Sequence, residues 1–124
     1  MLVRLLEKYG EIIKSWEIID FDSAGPNYRV RAEILFVDGT RLYVRQVVLG
    51  ESVLKYAYQW NGEQGVLLCR WDNAPHWQKI PTFPHHKHVA QGAEVLVRES
   101  RGGDLEEILE EIAIAIRGKS TERR

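Results

Sequence analysis

The sequence predicts an α+β domain: one mainly antiparallel sheet of five to six strands, wound as a meander, with N- and C-terminal helices covering one face. Two observations carry this. From Trp16 to Trp71 the chain breaks into short strand-like runs, several alternating apolar and polar residues with period two, separated by turn residues every 8–12 positions. Both ends of the chain repeat their apolar residues with the helical period instead. A sheet with one apolar face needs a cover, and two amphipathic helices supply it. A length of 124 residues favours a single domain, placed at 1–118 with a frayed tail at 119–124.

The elements follow in order. "LVRLLEKYGEII" sets Leu2, Leu5, Leu6, Tyr9, Ile12 and Ile13 at helical spacing, and Gly10 marks a weak point in that helix. "WEIIDFD" is a strand closed by the turn residues "SAGPN". "YRVRAEILF" puts Tyr28, Val30, Ala32, Ile34 and Phe36 on one face and Arg29, Arg31, Glu33 and Leu35 on the other. Asp38-Gly39 predicts a two-residue hairpin turn into "RLYVRQVVL". "LKYAYQW" and "VLLCRW" continue the meander, and "AEVLVRE" offers a last strand. The terminal helix is expected to be capped by Asp104 with Glu107 three residues on, to bury Leu105, Ile108, Leu109, Ile112, Ala115 and Ile116, and to stop at Gly118.

Composition excludes some function classes. Net charge is −1, so no global field draws the protein onto nucleic acid. The charge is uneven, however: Tyr28 to His88 holds eight Lys or Arg against five Asp or Glu. The single cysteine, Cys69, sits in an apolar run and predicts a buried, inert thiol. One cysteine, no bilayer-length apolar run and no signal-like start together predict a cytoplasmic protein with no membrane partner.

The rhythm stops after Trp71. The segment "RWDNAPHWQKIPTFPHHKH", Arg70 to His88, holds all four histidines, three of the four prolines and two of the four tryptophans. A loop of about 20 residues inside a compact domain is usually functional, and Trp77 and Phe83 argue that this one is ordered. Imidazoles titrate near neutrality and can share acid and base roles at a phosphodiester. The candidate catalytic groups are His76, His85, His86, His88 and Asp72, the last as a carboxylate that orients a histidine ring. Arg70 and Lys87 are candidate phosphate ligands. Arg29, Arg31, Arg41 and Arg45 alternate on adjacent strands and form a possible RNA face with Tyr43, or else the ordinary wet side of a sheet. No metal is required by this chemistry. The alternative is a metal site of His86 and His88, with His76 or Asp72 as a further ligand, suited to Zn, Ni or Fe(II). A further alternative is a non-catalytic module whose histidine loop docks a protein partner.

The runs "FVDGTRLYVRQVV", "YAYQW", "RWDNAPHW" and "PTFPHHKHV", followed by a Glu-rich terminal helix, resemble the TumE family of toxin–antitoxin toxins. That resemblance implies a small prokaryotic toxin made with a cognate antitoxin, typically a helix-turn-helix DNA-binding protein. It flags Arg70, Asp72, Asn73, Pro75, His76, Pro84, His85, His86, Lys87 and His88 without assigning them roles. RNA as the substrate, and a ribonuclease activity, follow by analogy with other toxins.

Overall fold

A computed structural model describes residues 2–122, with side chains through Lys119. Helix α1 (Leu2–Lys8) leads into strands β1 (Ile13–Ala24), β2 (Asn27–Phe36), β3 (Arg41–Leu49), β4 (Ser52–Asn61), β5 (Leu67–Asp72), β6 (His86–Gln91) and β7 (Glu94–Glu99), and helix α2 (Leu105–Glu122) closes the chain. The strands form one antiparallel sheet in the order β1-β2-β3-β4-β5-β6-β7. Sequence order and spatial order coincide, as expected of consecutive strands joined by short turns and, between β5 and β6, by one long loop. Among the described residues no helix is long and apolar enough to cross a membrane.

Both helices lie on one face. Leu105, Ile108, Leu109, Ile112, Ala113 and Ile116 of α2 bury against Ile34, Phe36, Leu42, Tyr58 and Trp71, and Leu6 of α1 joins the same cluster. Asp104 accepts the Glu106 backbone N–H at 2.9 Å and so caps α2. The predicted alternation in β2 holds: Val30, Ala32, Ile34 and Phe36 are buried, while Arg29 and Arg31 are exposed.

Four expectations need correction. The sheet has seven strands, not five to six. The extra one is β6, "HKHVAQ", placed inside the expected loop. Its two faces are polar and mixed, so no apolar alternation betrays it. The first helix ends at Lys8 rather than running to Ile13; Tyr9 and Ile12 are buried in the turn that follows, where the Ile12 N–H meets the Tyr9 carbonyl at 3.0 Å. The Asp38-Gly39 hairpin is not a two-residue turn. Gly39 alone has positive φ (88°), and its N–H bonds the Phe36 carbonyl, which is a three-residue loop with a glycine bulge. Finally, α2 passes through Gly118 to Glu122. Helix α2 thus takes in residues 119–122 of the tail, and residues 123–124 lie outside the described residues.

A contact network explains why Lys119 is held. Trp60 Nε1–H donates to Thr40 Oγ1 (2.9 Å), Thr40 Oγ1–H donates to Asp38 Oδ1 (2.6 Å), and Lys119 Nζ reaches Asp38 Oδ2 (2.9 Å). Burial favours the neutral acid of Asp38, but the bonds from Thr40 and Lys119 outweigh it and hold the carboxyl below its ordinary 3.8. Asp38→Ala is therefore expected to cost about 1–2 kcal/mol in urea unfolding at neutral pH. A group whose folded value is depressed stabilises fully above its unfolded value and loses that contribution as pH falls through the folded one. The gap between wild type and Asp38→Ala should accordingly persist down to about pH 4 and shrink below it.

Candidate active site

In an antiparallel pair, directly opposed residues share a face. On β5 and β6, Arg70 opposes His88, Asp72 opposes His86, and Trp71 opposes Lys87. Trp71 is core, so Lys87 lies on the helix side, where its Nζ meets Glu111 of α2 at 3.4 Å. Arg70, Asp72, His86 and His88 occupy the opposite side of the sheet. His85 falls on the helix side, its Nδ1 3.0 Å from the Tyr56 hydroxyl and its ring stacked on Tyr56.

The carboxylate of Asp72 is the hub. Its Oδ1 lies 3.0 Å from His86 Nε2 and accepts the Ala74 N–H at 3.0 Å. Its Oδ2 lies 3.2 Å from Arg70 Nε and 3.5 Å from His88 Nε2. Both ends of the His86 ring face oxygen, because Nδ1 stands 3.0 Å from the Pro84 carbonyl. The two imidazoles meet edge to face at 4.9 Å between centroids. Trp77, from the loop, lies 6.5 Å from the His86 ring and 6.2 Å from that of His88. Arg70 Nη1 donates to Gln59 Oε1 at 2.8 Å, which fixes the guanidinium from the β4 side.

His86 is sealed, with 2 % of its side chain exposed, whereas His88 retains 22 % and Arg70 40 %. Burial pushes the His88 imidazole below its ordinary 6.5, and the Asp72 charge only partly opposes this. Cys69 is buried and its thiol is pushed up to about 12, as expected of an inert core cysteine.

The loop is anchored at both ends. Asn73 Oδ1 accepts the Tyr56 N–H, and its Nδ2 donates to the Leu54 carbonyl. Thr82 Oγ1–H donates to the His85 carbonyl and accepts the Ser100 N–H. Asp72 also forms the Asx turn that starts the loop, so its turn-making and histidine-facing roles coexist.

The same side of the sheet carries the predicted arginines. Arg31 opposes Arg45, Arg45 opposes Ala57, and Ala57 opposes Asp72. Beside that row, Tyr43 opposes Gln59, Gln59 opposes Arg70, and Arg70 opposes His88. Two strand spacings, roughly 10 Å, separate Arg45 from Asp72. Arg29 and Arg41 lie on the same face, and Arg29 is ion-paired to Asp22 at 3.5 Å, both well exposed.

The structure thus joins Asp72, His86, His88 and Arg70, and puts Arg29, Arg31, Arg41 and Arg45 on their face. It separates three candidates from them. Lys87 and His85 point to the helix side because they sit one residue out of phase with the histidine pair. His76 is exposed in the loop and is not part of the three-ligand group Asp72, His86 and His88, so of the two further ligands considered it is Asp72, not His76, that joins the histidine pair. Trp77 and Gln59 were missed. Only the aromatic content of the loop hinted at Trp77, and nothing local marked Gln59.

A family model described as Toxin TumE matches residues 2–119. The chain belongs to the TumE toxin family. Membership gives a toxin role and, with it, a cognate antitoxin as partner. Neither a curated protein nor a solved structure matches this TumE-family chain.

Proposed function

We propose that this TumE-family toxin cleaves RNA by metal-independent acid–base catalysis at Asp72, His86, His88 and Arg70. The observation that carries the reading is the convergence of a carboxylate, two imidazoles and a guanidinium on the sheet face that also bears the arginine rows.

His88 is the more exposed ring, and with Nε2 turned to Asp72 its Nδ1 is the atom left to take a proton from a ribose 2′-hydroxyl. The 2′-oxygen attacks the adjacent phosphorus, the bond to the 5′-oxygen breaks, and a 2′,3′-cyclic phosphate results. The departing oxygen takes its proton from solvent, because the second imidazole, His86, is enclosed between Asp72 and Pro84. Asp72 orients His88 and stabilises the imidazolium once it forms, as carboxylates do for other catalytic histidines. Arg70 faces the charge that develops on the phosphoryl oxygens. His86 positions Asp72.

Arg31 and Arg45 stand directly opposite each other, a like-charge pair that Asp20, opposite Arg31 on β1, balances on one side only. A phosphate backbone relieves that repulsion, and Tyr43 and Trp77 offer rings for stacking bases. The antitoxin is proposed to be a helix-turn-helix DNA-binding protein, and the site of action the cytoplasm.

The test is purified, tag-free protein on a single-stranded RNA. Cleavage that survives EDTA, with 2′,3′-cyclic ends, supports the reading. Arg45→Ala is expected to weaken RNA binding and to reduce the salt dependence, log Kd against log salt, by about one. No turnover of any RNA, together with loop variants that lose the antitoxin, would replace the nuclease with a docking surface.

A further inference from the structure

We propose that Asp72, His86 and His88 also form a site for one divalent transition-metal ion, with zinc as the reference occupant. Each residue offers one donor atom, and the three lie within 4.8 Å of one another. An ion about 2.0–2.2 Å from each donor sets donor spacings of roughly 3–4 Å. Small rotations of the side chains close that difference.

The orientation of His86 favours an ion further. His86 Nδ1 stands 3.0 Å from the Pro84 carbonyl, and Nε2 stands 3.0 Å from the carboxylate oxygen Oδ1. With the ring proton on Nδ1, Nε2 and Oδ1 are two donors facing the same point, which a cation can occupy in place of a proton. A ring N–H bonded to a backbone carbonyl is also how metal-bound histidines are commonly oriented. Arg70 engages Oδ2 and fixes the carboxylate, while Oδ1 accepts the Ala74 N–H through one lone pair and turns the other toward His86 Nε2. Two imidazoles and one carboxylate select zinc, nickel or ferrous iron over magnesium or calcium. The partly exposed His88 leaves an entry path and room for water in the remaining positions. His76, exposed on the loop, is no ligand.

An imidazole bound to metal is not a free base. On the catalytic reading above, a filled site is therefore a silenced one. Binding itself is read without RNA, so the two readings fail separately.

The experiment is zinc stoichiometry and affinity on the tag-free full chain after EDTA treatment and dialysis, by elemental analysis and chelator competition. One zinc per chain is expected. His88→Gln and Asp72→Asn should weaken it at least tenfold, and His76→Ala should leave it unchanged, all three with circular dichroism like wild type. If a variant is not folded, protection of His88 from diethyl pyrocarbonate by zinc in the wild type decides instead. Less than a tenth of a zinc per folded chain would overturn the proposal, as would His76→Ala losing as much as His88→Gln. Saturating zinc is expected to cut RNA cleavage at least tenfold. A filled site with unchanged cleavage would uphold the metal site and remove the imidazoles from catalysis.

Discussion

His88→Ala is expected to lower RNA cleavage by about 10²- to 10⁴-fold, the range for a positioned general base. His88 is partly exposed, and the helical core lies on the other side of the sheet, so the thermal midpoint should move little. Single-turnover rates on a short RNA, with circular dichroism as the control for folding, make the measurement. Lys87→Ala is the informative comparison. It removes a cation one residue away in sequence, but on the helix side, where it meets Glu111. Exposed pairs of that kind contribute about 0–1 kcal/mol, so cleavage should stay within about twofold of wild type, well short of the loss of a general base. Equal losses in the two variants would mean that the face assignment, and the site built on it, is wrong. His86→Ala should also cut cleavage, but with a loss of stability, because it strips the sealed partner from Asp72 Oδ1.

That contrast between neighbours marks the limit of what local sequence reveals here. The β2 faces, the cap at Asp104 and the α2 stripe, with Ala113 buried where Ala115 was expected, were legible because burial on one side imposes a period. The pairing of His86 with His88 was legible too, since extended residues two apart share a face. Their separation from His85 and Lys87 was not, because β6 has polar residues on both sides and nothing in its pattern shows where extension begins. The common face of arginines and histidines depends on strand order and on register through Ala57 and Gln59, which link Arg31 to histidines four strands away. No local motif encodes that. Asp72 can make a turn before Ala74-Pro75 or face a histidine. It does both: Oδ1 accepts the Ala74 N–H and meets His86, while Oδ2 meets His88 and Arg70.

Gly103→Val is expected to destabilise the fold by about 3 kcal/mol, the upper part of the range for overpacking a filled site. The reason is not conformational freedom, since Gly103 has no positive φ. A Cβ there would lie 2.5 Å from both Cδ1 and Cε1 of Tyr56, closer than carbon atoms can approach. The ring is held in place by its neighbours. It stacks on Tyr58 at 5.0 Å on one side and on His85 at 5.8 Å on the other. Tyr58 is in turn tied to the chain at this point, its hydroxyl donating to the Gly103 carbonyl at 2.9 Å and accepting from Gln46 Nε2 at 2.7 Å. Displacing Tyr56 breaks its bond to His85 and strains the loop that Asn73 fastens to the Tyr56 backbone. The loss should therefore appear twice: as a lower urea midpoint, and as faster amide exchange across 73–85, the segment that holds Trp77 over the histidine pair. Pairing Gly103→Val with Tyr56→Leu, which clears the space, should recover much of the stability. A midpoint unmoved by Gly103→Val would show that the entry to α2 can shift away from the sheet, and that the Tyr56–Tyr58 stack does not fix it.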